Sequence, residues 1–252
     1  MLGGELKLTA RGLMRKNSPK IFLIAIIFII VTMILSDIQL RLLGMDVILE
    51  QFQDQLEQIQ TRLTAGEIFD FGAYFDAISS NFRLSGTFLS FLLGLMISMF
   101  YVGFISVCLK ISRGIGADYR TLLDGFAIFF KLILLIILTR IFVLLWALLF
   151  FFPAIPAYYR YRQAYYILLD NPEKGVLQCI RESKEMMRGN KMDLFLLDLS
   201  FIGWFILSFI VGALLTYIGL FAFPIVMIWL RPYLGLTYAG YYNKLIKYSN
   251  DA

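Results

Sequence analysis

The sequence predicts an all-α membrane protein, a polytopic helical bundle of about six spans in three hairpins with additional interfacial amphipathic helices. Hydrophobic residues make up 60% of the 252 residues and charged residues only 16%, whereas soluble domains carry about 25% charged residues. With 24 Phe and 14 Tyr, a soluble domain of this length could not cover its apolar surface. The distribution of charge along the chain is the third observation.

Acidic and basic residues are separated along the chain. Residues 37–83 contain eight acidic residues and three Arg, a local charge of −5, whereas the rest carries +10 and the whole chain +5. Because basic loops remain on the cytoplasmic side of a membrane, we predict a multi-pass protein with both termini cytoplasmic and the segment 37–86 outside. No basic run on a polar domain has interleaved aromatics, so no nucleic-acid partner is expected.

The first part of the chain divides into a basic helix, a span and the acidic loop. Residues 1–20 predict a basic amphipathic helix on the inner leaflet. Residues 21–36 predict the first span; a signal peptide is the alternative, but no small-residue cleavage site follows the apolar run. Apolar residues at three- and four-residue intervals in 37–86 predict amphipathic helices, packed on the membrane or in a hairpin, or forming a dimerisation seam.

Five more apolar segments complete the predicted membrane bundle of residues 87–230. They predict crossings at 87–109, 132–152, 157–169, 194–215 and 220–230. The crossing at 157–169 is short, since 13 helical residues span only about 20 Å. It is included because the basic segment after it would otherwise lie outside. Residues 153–156 supply the outer turn before it.

Small residues and a proline set further details of this bundle. Ser90, Gly94 and Ser98 recur at four-residue intervals in the second span, which favours the close approach of another helix. Pro224 is expected to kink the sixth span. The segment 231–252 predicts a tyrosine-rich cytoplasmic interfacial helix with a short polar tail.

A charged amphipathic helix is predicted at 172–188, on the cytoplasmic side between the fourth and fifth spans. Either residue of the pair Asp170-Asn171 suits the N-cap, and Pro172 suits the first turn. The helix is expected to end at the pair Gly189-Asn190.

The segment from Asp170 to Trp204 resembles a known family of integral membrane proteins. The residues that carry the resemblance are Asp170-Asn171-Pro172, the run from Ile180 to Lys191, Leu194-Phe195 and the run from Leu199 to Trp204. The family is the bacterial DUF975 family of unknown function. The similarity covers about 94–242 and extends weakly to Ala10-Arg11. The resemblance implies a protein of the bacterial cytoplasmic (plasma) membrane and implies no reaction. The acidic loop 37–86 departs from the family pattern.

Arg140 and Asp198 are the most informative charged residues, since each falls inside a predicted span. A charge in the middle of a span costs at least about 2.5 kcal/mol. At about 1.5 Å per residue, Arg140 would lie roughly 12 Å and Asp198 roughly 6 Å from the same side. We therefore predict an intramembrane Arg140–Asp198 pair. The alternatives are that Arg140 extends to the interface alone or lines a polar cavity.

Arg160 and Arg162 fall near the outer end of the predicted fourth crossing, among five tyrosines. Tyrosines anchor a helix at the interface, and arginines there bind lipid phosphate. We therefore predict lipid contacts for both arginines. An anion- or substrate-binding site on the outer face is the alternative.

The sequence offers no group of residues suited to catalysis. The chain contains no His and two Cys, so neither a metal site nor a cofactor is expected. Cys108 and Cys179 fall on the predicted cytoplasmic side, where a structural disulfide is unusual. Ser183 is expected on a helix surface without a base, because the adjacent Lys184 points about 100° away. We do not expect an enzyme.

Two classes of function remain. The sequence favours a non-catalytic scaffold, regulatory or immunity-type partner protein, in contact with membrane lipids and with a protein partner through 37–86 or 172–188. The alternative is a small transporter or lipid-handling protein that uses intramembrane charges. A polar cavity that reaches Arg140 would favour the alternative, and a dry, tightly packed bundle would favour the scaffold.

Overall fold

The computed structural model describes residues 2–44, 84–149, 151–217 and 225–250. All regular secondary structure in these ranges is helical. The helices are, in chain order, α1 (Leu2–Lys16), α2 (Lys20–Leu42), α3 (Leu84–Ser112), a 3₁₀ helix (Tyr119–Leu123), α4 (Asp124–Ala127), α5 (Phe129–Leu149), α6 (Phe151–Tyr161), α7 (Ala164–Asp170), α8 (Val176–Met186), α9 (Lys191–Leu199), α10 (Ile202–Tyr217) and α11 (Ile225–Asn250).

Four helical segments within these ranges are long and apolar enough to cross a membrane. They are Lys20–Leu42, Gly86–Ser112, Phe129–Leu148 and Lys191–Leu215. They coincide with the first, second, third and fifth predicted spans. Large apolar side chains on them are exposed, with 84% for Phe130, 83% for Leu148 and 78% for Phe209, as expected of surfaces that face lipid. The predicted class of helical membrane protein is confirmed at this level.

The described chain forms two compact units. Unit 1 comprises Met1–Ile29 and Met99–Ala252, and unit 2 comprises Ile30–Ser98. Within unit 2, Gln39 Nε2 donates to the Ser90 carbonyl at 3.0 Å and Ser90 Oγ donates to the Gln39 carbonyl at 3.3 Å. The end of α2 therefore meets α3 at the first residue of the predicted small-residue stripe. The amphipathic helices predicted in the acidic loop fall within 45–83, outside the described residues.

Helix α11 supplies many of the buried side chains of unit 1. Tyr233, Leu236, Thr237 and Tyr242 are at most 2% exposed, and α11 packs against α1, α8 and α10. A Cβ on Gly235 would lie 2.4 Å from Cys108 Sγ, so α3 and α11 approach closely only because this residue has no side chain. The sequence predicted an interfacial helix after residue 230. The structure instead shows a single helix that continues through Pro232 and is largely buried.

The N-terminal helix predicted from the basic segment is present as α1, and it packs on protein. Ala10 and Met14 are buried where α1 lies on α9 and α11. Lys7 Nζ donates to the Ser200 carbonyl at 3.2 Å and lies 4.3 Å from the centroid of the Phe201 ring. A hydrogen bond and a cation–π contact therefore attach α1 to the rest of unit 1.

The predicted turn at residues 153–156 is helical instead. Helix α6 starts at Phe151 and includes both prolines of that stretch. Pro153 lies in the first helical turn, where the missing N–H has no intrahelical acceptor in any case. Helix α6 packs back along α5, and the chain turns at Arg162-Gln163 before α7. This hairpin determines where the side chains at the end of α6 lie.

Helix α8 begins later than predicted. The structure places its N-cap at Gly175. Asp170, one of the two predicted caps, has its carboxylate bonded to Arg113 and Tyr242 instead. The predicted stop holds: Gly189 has φ +86°, a conformation that favours glycine, and it lies in the turn between α8 and α9.

Candidate functional site

Asp198 is the acceptor at the centre of a polar cluster in unit 1. Its Oδ2 accepts from Arg162 Nη1 at 2.6 Å and from the Tyr159 hydroxyl at 2.9 Å. Its Oδ1 accepts from the Tyr238 hydroxyl at 2.7 Å. The side chains of Arg162 and Asp198 are only 17% and 25% exposed. We call these four residues the Asp198 cluster; it connects α6, the turn after it, α9 and α11.

The cluster gains a further contact from the face of an aromatic ring. The guanidinium carbon of Arg162 lies 4.2 Å from the centroid of the Tyr238 ring, a cation–π distance. Tyr238 therefore contacts Arg162 with its ring and Asp198 with its hydroxyl. Since charge-assisted hydrogen bonds are the stronger kind, Arg162 is held firmly in one position.

The structure does not form the predicted Arg140–Asp198 pair. Asp198 is bonded to Arg162, and Arg140 is exposed and forms no ion pair within the described part of the chain. The reason is the hairpin of α5 and α6, which brings the end of α6 and the following turn to α9. Arg162 lies in that turn and is therefore the arginine that bonds to Asp198.

Arg140 and Arg162 nevertheless line the same cavity, which we call the tyrosine cavity. Its volume is about 430 Å³, within the range of small-molecule sites. Thr139 and four apolar residues of α3 and α5 complete a wall that is otherwise made of tyrosines. The lining tyrosines are Tyr101, Tyr158, Tyr161, Tyr165, Tyr166 and Tyr238.

The tyrosine cavity opens on an apolar helix surface. Leu144 on its rim is 67% exposed and Tyr158 is 52% exposed, whereas Tyr161 and Tyr166 deeper in the wall are buried. Val143, Leu144 and Ala147 belong to α5, which is one of the four candidate spans. The cavity therefore joins a polar interior to the surface of a helix that can contact lipid.

Arg160 lies apart from the tyrosine cavity. Its guanidinium carbon is 5.8 Å from the centroid of the Trp146 ring, and its backbone carbonyl accepts from Ser183 Oγ at 2.9 Å. Ser183 was predicted on a helix surface without a base; it is 0% exposed, and its hydroxyl bonds α8 to the end of α6. Of the two arginines predicted to contact lipid, Arg162 thus lines the tyrosine cavity and Arg160 does not.

A second cluster joins α3, α7 and α11. Arg113 donates to both oxygens of Asp170, with distances of 2.6 Å and 2.7 Å, and the Tyr242 hydroxyl donates to Asp170 at 3.0 Å. Arg113 Nε also donates to Asn243 Oδ1 at 3.0 Å. We call these four residues the Asp170 cluster. It lies beside a polar groove of about 780 Å³ that is also lined by residues of α8.

Electrostatic effects in this second region are clear. The hydrogen bond to Asp170 raises the pKa of Arg113, and burial together with Asp170 raises the pKa of Tyr242. Burial acts to raise the pKa of Glu182, but hydrogen bonds from Lys174 and Gln178 outweigh it and leave that pKa below its ordinary value. All three groups therefore keep their ordinary charge at neutral pH.

Within the described ranges, no group of three or more Cys, Asp and Glu residues could hold a metal ion. Cys108 and Cys179 are both buried and free.

The fold and the site define a class: a helical protein with helices able to cross a membrane and a tyrosine-lined cavity that contains two arginines. Residues 148–249 match the model of the family described as "Protein of unknown function (DUF975)", which confirms the resemblance seen in the sequence. This range includes the whole Asp198 cluster and begins after Arg140. No curated protein and no solved structure matches the chain.

The sequence did not indicate the tyrosines of the Asp198 cluster as partners of a carboxylate. The sequence predicts interfacial anchoring for Tyr159 and for the tyrosine-rich segment that contains Tyr238. One signal could have found Tyr238: it and Tyr242 lie four residues apart in a helix, so they project from the same face. Two hydroxyls on one helix face need acceptors, and the carboxylates of Asp198 and Asp170 accept from Tyr238 and Tyr242.

Proposed function

We propose that this protein binds an anionic amphiphile of the membrane in the tyrosine cavity, as a non-catalytic lipid-handling protein. The observation that carries the proposal is the cavity of about 430 Å³ that reaches Arg140. Arg140 is exposed to it without an ion-pair partner among the described residues. A cation placed in a candidate span without a protein counter-ion is well suited to bind an anionic ligand.

The shape of the cavity supports an amphiphile over a small soluble anion. The cavity wall combines Arg140, Arg162 and six tyrosines with the apolar side chains of Val143, Leu144 and Ala147. A lipid would place its headgroup against the arginines and its chains along the apolar part of α5. A mainly apolar wall with a few polar groups is typical of ligand sites.

A scaffold or immunity-type role has less support than lipid handling. A scaffold would be supported by charges that compensate each other inside the protein. Arg162 and Asp198 form such an ion pair, whereas Arg140 forms none among the described residues. A scaffold role also depends on a partner surface at 37–86, most of which lies outside the described residues. The polar segment around α8 remains available to a partner protein and is compatible with lipid handling.

The proposed setting is the bacterial cytoplasmic membrane, with six crossings in three hairpins and both termini inside. Basic residues of α1, of α8 and of the end of α11 support this orientation through the positive-inside tendency. The α5–α6 hairpin supports a return of the chain between the third and fifth predicted spans.

The test is to fill the cavity. The chain is purified in mild detergent, and the retained lipid is quantified by mass spectrometry for the wild type and for Ala147→Trp. We expect the variant to retain at most about a tenth of the wild-type lipid, since the indole occupies the space of the ligand. Ala213→Trp is the matched control, because Ala213 is exposed on α10 and does not line the cavity. Equal retention in both variants would refute the proposal.

A further inference from the structure

We infer that the tyrosine cavity selects a lipid headgroup with a single negative charge, a phosphodiester, and that Asp198 sets this selectivity. The inference rests on the proposed function and names the ligand class of the same site. Arg140 and Arg162 are the charged residues that line the cavity. Asp198 is bonded to two lining residues, Arg162 and Tyr238.

The charge of the site follows from these contacts. Two guanidiniums contribute two positive charges and the carboxylate of Asp198 removes one, which leaves a net charge of +1. Arg162 and Asp198 are too poorly exposed, at 17% and 25%, for water to screen them fully. Burying a charge without compensation is costly, so the best ligand carries one negative charge.

Hydrogen bonding favours a phosphate group in this position. Arg162 has five N–H donors, of which Asp198 engages only part, and Arg140 offers its whole guanidinium. Tyr158 and Tyr161 also line the cavity, and a tyrosine hydroxyl is able to donate to a phosphate oxygen. A phosphodiester presents two oxygens that share one charge, which matches a guanidinium fork.

Two other lipid headgroups fit less well. A phosphomonoester carries about −1.5 to −2 at neutral pH, which exceeds the net charge of the site. A zwitterionic headgroup brings an ammonium close to two arginines, which is repulsive. Asp198 is thus the residue that separates a phosphodiester from a phosphomonoester, because without it the site would carry +2.

A lipid is a better source of this phosphate than a soluble ester. The rim of the cavity is apolar, with Leu144 67% exposed, and α5 is a candidate span. A soluble glycerophosphodiester would bury no chains against this surface and would lose the apolar contribution to binding.

The experiment compares headgroups on identical acyl chains. The full chain in detergent is titrated with phosphatidylglycerol, phosphatidic acid or phosphatidylethanolamine, and bound lipid is measured by native mass spectrometry. Soluble glycerophosphoglycerol is the arm without chains. We expect the wild type to bind phosphatidylglycerol at least about fivefold better than the other three, a ratio typical of one partly screened charge.

Two variants change the net charge of the tyrosine cavity in opposite directions. Arg140→Gln makes the site neutral, and we expect it to lose the preference for phosphatidylglycerol over phosphatidylethanolamine. Asp198→Asn makes the site +2, and we expect the ratio of phosphatidic acid to phosphatidylglycerol to rise about fivefold. Arg160→Gln is the matched control: it removes a neighbouring arginine that does not line the cavity, so all ratios should stay at wild-type values.

The outcomes separate this inference from the proposed function. If Ala147→Trp releases the lipid but headgroup ratios are the same in Arg140→Gln, Asp198→Asn and Arg160→Gln, the cavity binds lipid and the charge-based selectivity is wrong. If Asp198→Asn does not fold, the wild type and Arg140→Gln decide alone: an unchanged preference for phosphatidylglycerol in Arg140→Gln overturns the inference. Binding of glycerophosphoglycerol as strong as that of the lipid would overturn the lipid assignment.

Discussion

The Asp198 cluster and the Asp170 cluster are built from the same parts in different surroundings. Each has an Arg–Asp ion pair, and each takes a tyrosine hydroxyl from α11, from Tyr238 in one and Tyr242 in the other. The two tyrosines lie about one helical turn apart. One cluster forms part of the wall of the tyrosine cavity, and the other lies beside the open polar groove.

The difference between them is the charge that remains after pairing. In the Asp170 cluster, Arg113 is bonded to both oxygens of Asp170 and to Asn243, and the two charges cancel. In the Asp198 cluster the ion pair cancels as well, but Arg140 on the same cavity leaves a positive charge. Under the proposed function, the Asp170 cluster is a structural contact, whereas the Asp198 cluster also belongs to the binding site.

The largest expected effect is that of Asp198→Ala. The change leaves Arg162 without its counter-ion and two tyrosine hydroxyls without their acceptor, so we expect the free energy of unfolding to fall by about 3 kcal/mol. Thermal unfolding in detergent, followed by circular dichroism, measures it. Asp193→Ala is the control, since Asp193 is exposed on the same helix. If the two variants unfolded at the same temperature, the cluster would not be a clamp.

A smaller loss is expected for the equivalent change in the other cluster. Asp170→Ala should cost about 1.5 kcal/mol, because Arg113 is 33% exposed and water replaces part of the lost interaction. The double variant Arg113→Ala/Asp170→Ala should cost less than the sum of the single variants, which a double-mutant cycle measures. Additive losses would mean that the pair contributes nothing.

The tyrosines distinguish the two clusters more sharply. Tyr238→Phe and Tyr242→Phe each remove one hydroxyl, and each should cost about 1 kcal/mol in unfolding free energy. Only Tyr238→Phe should also change lipid retention, because only Tyr238 lines the tyrosine cavity. Tyr248→Phe is the control, since Tyr248 is 55% exposed at the end of α11. Equal lipid retention in all three variants would contradict the distinction.

The smallest expected effect concerns pH. The pKa of Glu182 is lowered in the folded protein by the hydrogen bonds from Lys174 and Gln178, against the effect of burial. Its contribution is therefore fully present above the unfolded-state pKa of Glu and is lost as the pH falls through the lower, folded-state value. At pH 7, Glu182→Gln should be less stable than the wild type by under about 1 kcal/mol, and the difference should vanish in acid.

The measurement is thermal unfolding of both proteins between pH 7 and acid. Glu185→Gln serves as the reference, because Glu185 is exposed on the same helix and forms no ion pair among the described residues. A difference between wild type and Glu182→Gln that grew as the pH fell would have the wrong sign for this explanation.

Long apolar runs and basic segments predicted the helical membrane class, because their length and composition are local properties of the chain. The four candidate spans follow directly from such runs. The start of α8 could not be predicted from local capping rules, since Asp170 is engaged by Arg113, 57 positions away. Tertiary contacts of this kind override a local preference.

In the candidate site, too, some features follow from local sequence and others depend on tertiary contacts. Arg140 stands out in the sequence because a charge within an apolar run is visible there, and the structure places it on a candidate span and in the wall of the tyrosine cavity. The partner of Asp198 was not predicted, since depth along the spans favours Arg140 and places Arg162 near the outer end of the fourth crossing, away from Asp198. The choice depends on α6 continuing through its prolines, and rules for proline favoured a turn there.

Because Tyr238 and Tyr242 must both face their carboxylates, residues cannot be inserted or deleted freely in α11 before them. One residue inserted between Pro232 and Tyr238 would rotate the rest of α11 by about 100° and turn both hydroxyls away from their carboxylates at once. Substitutions on the exposed side of the helix leave this geometry intact, whereas insertions and deletions do not. Tolerated changes of length should therefore fall after Asn243, the last residue of α11 that belongs to either cluster.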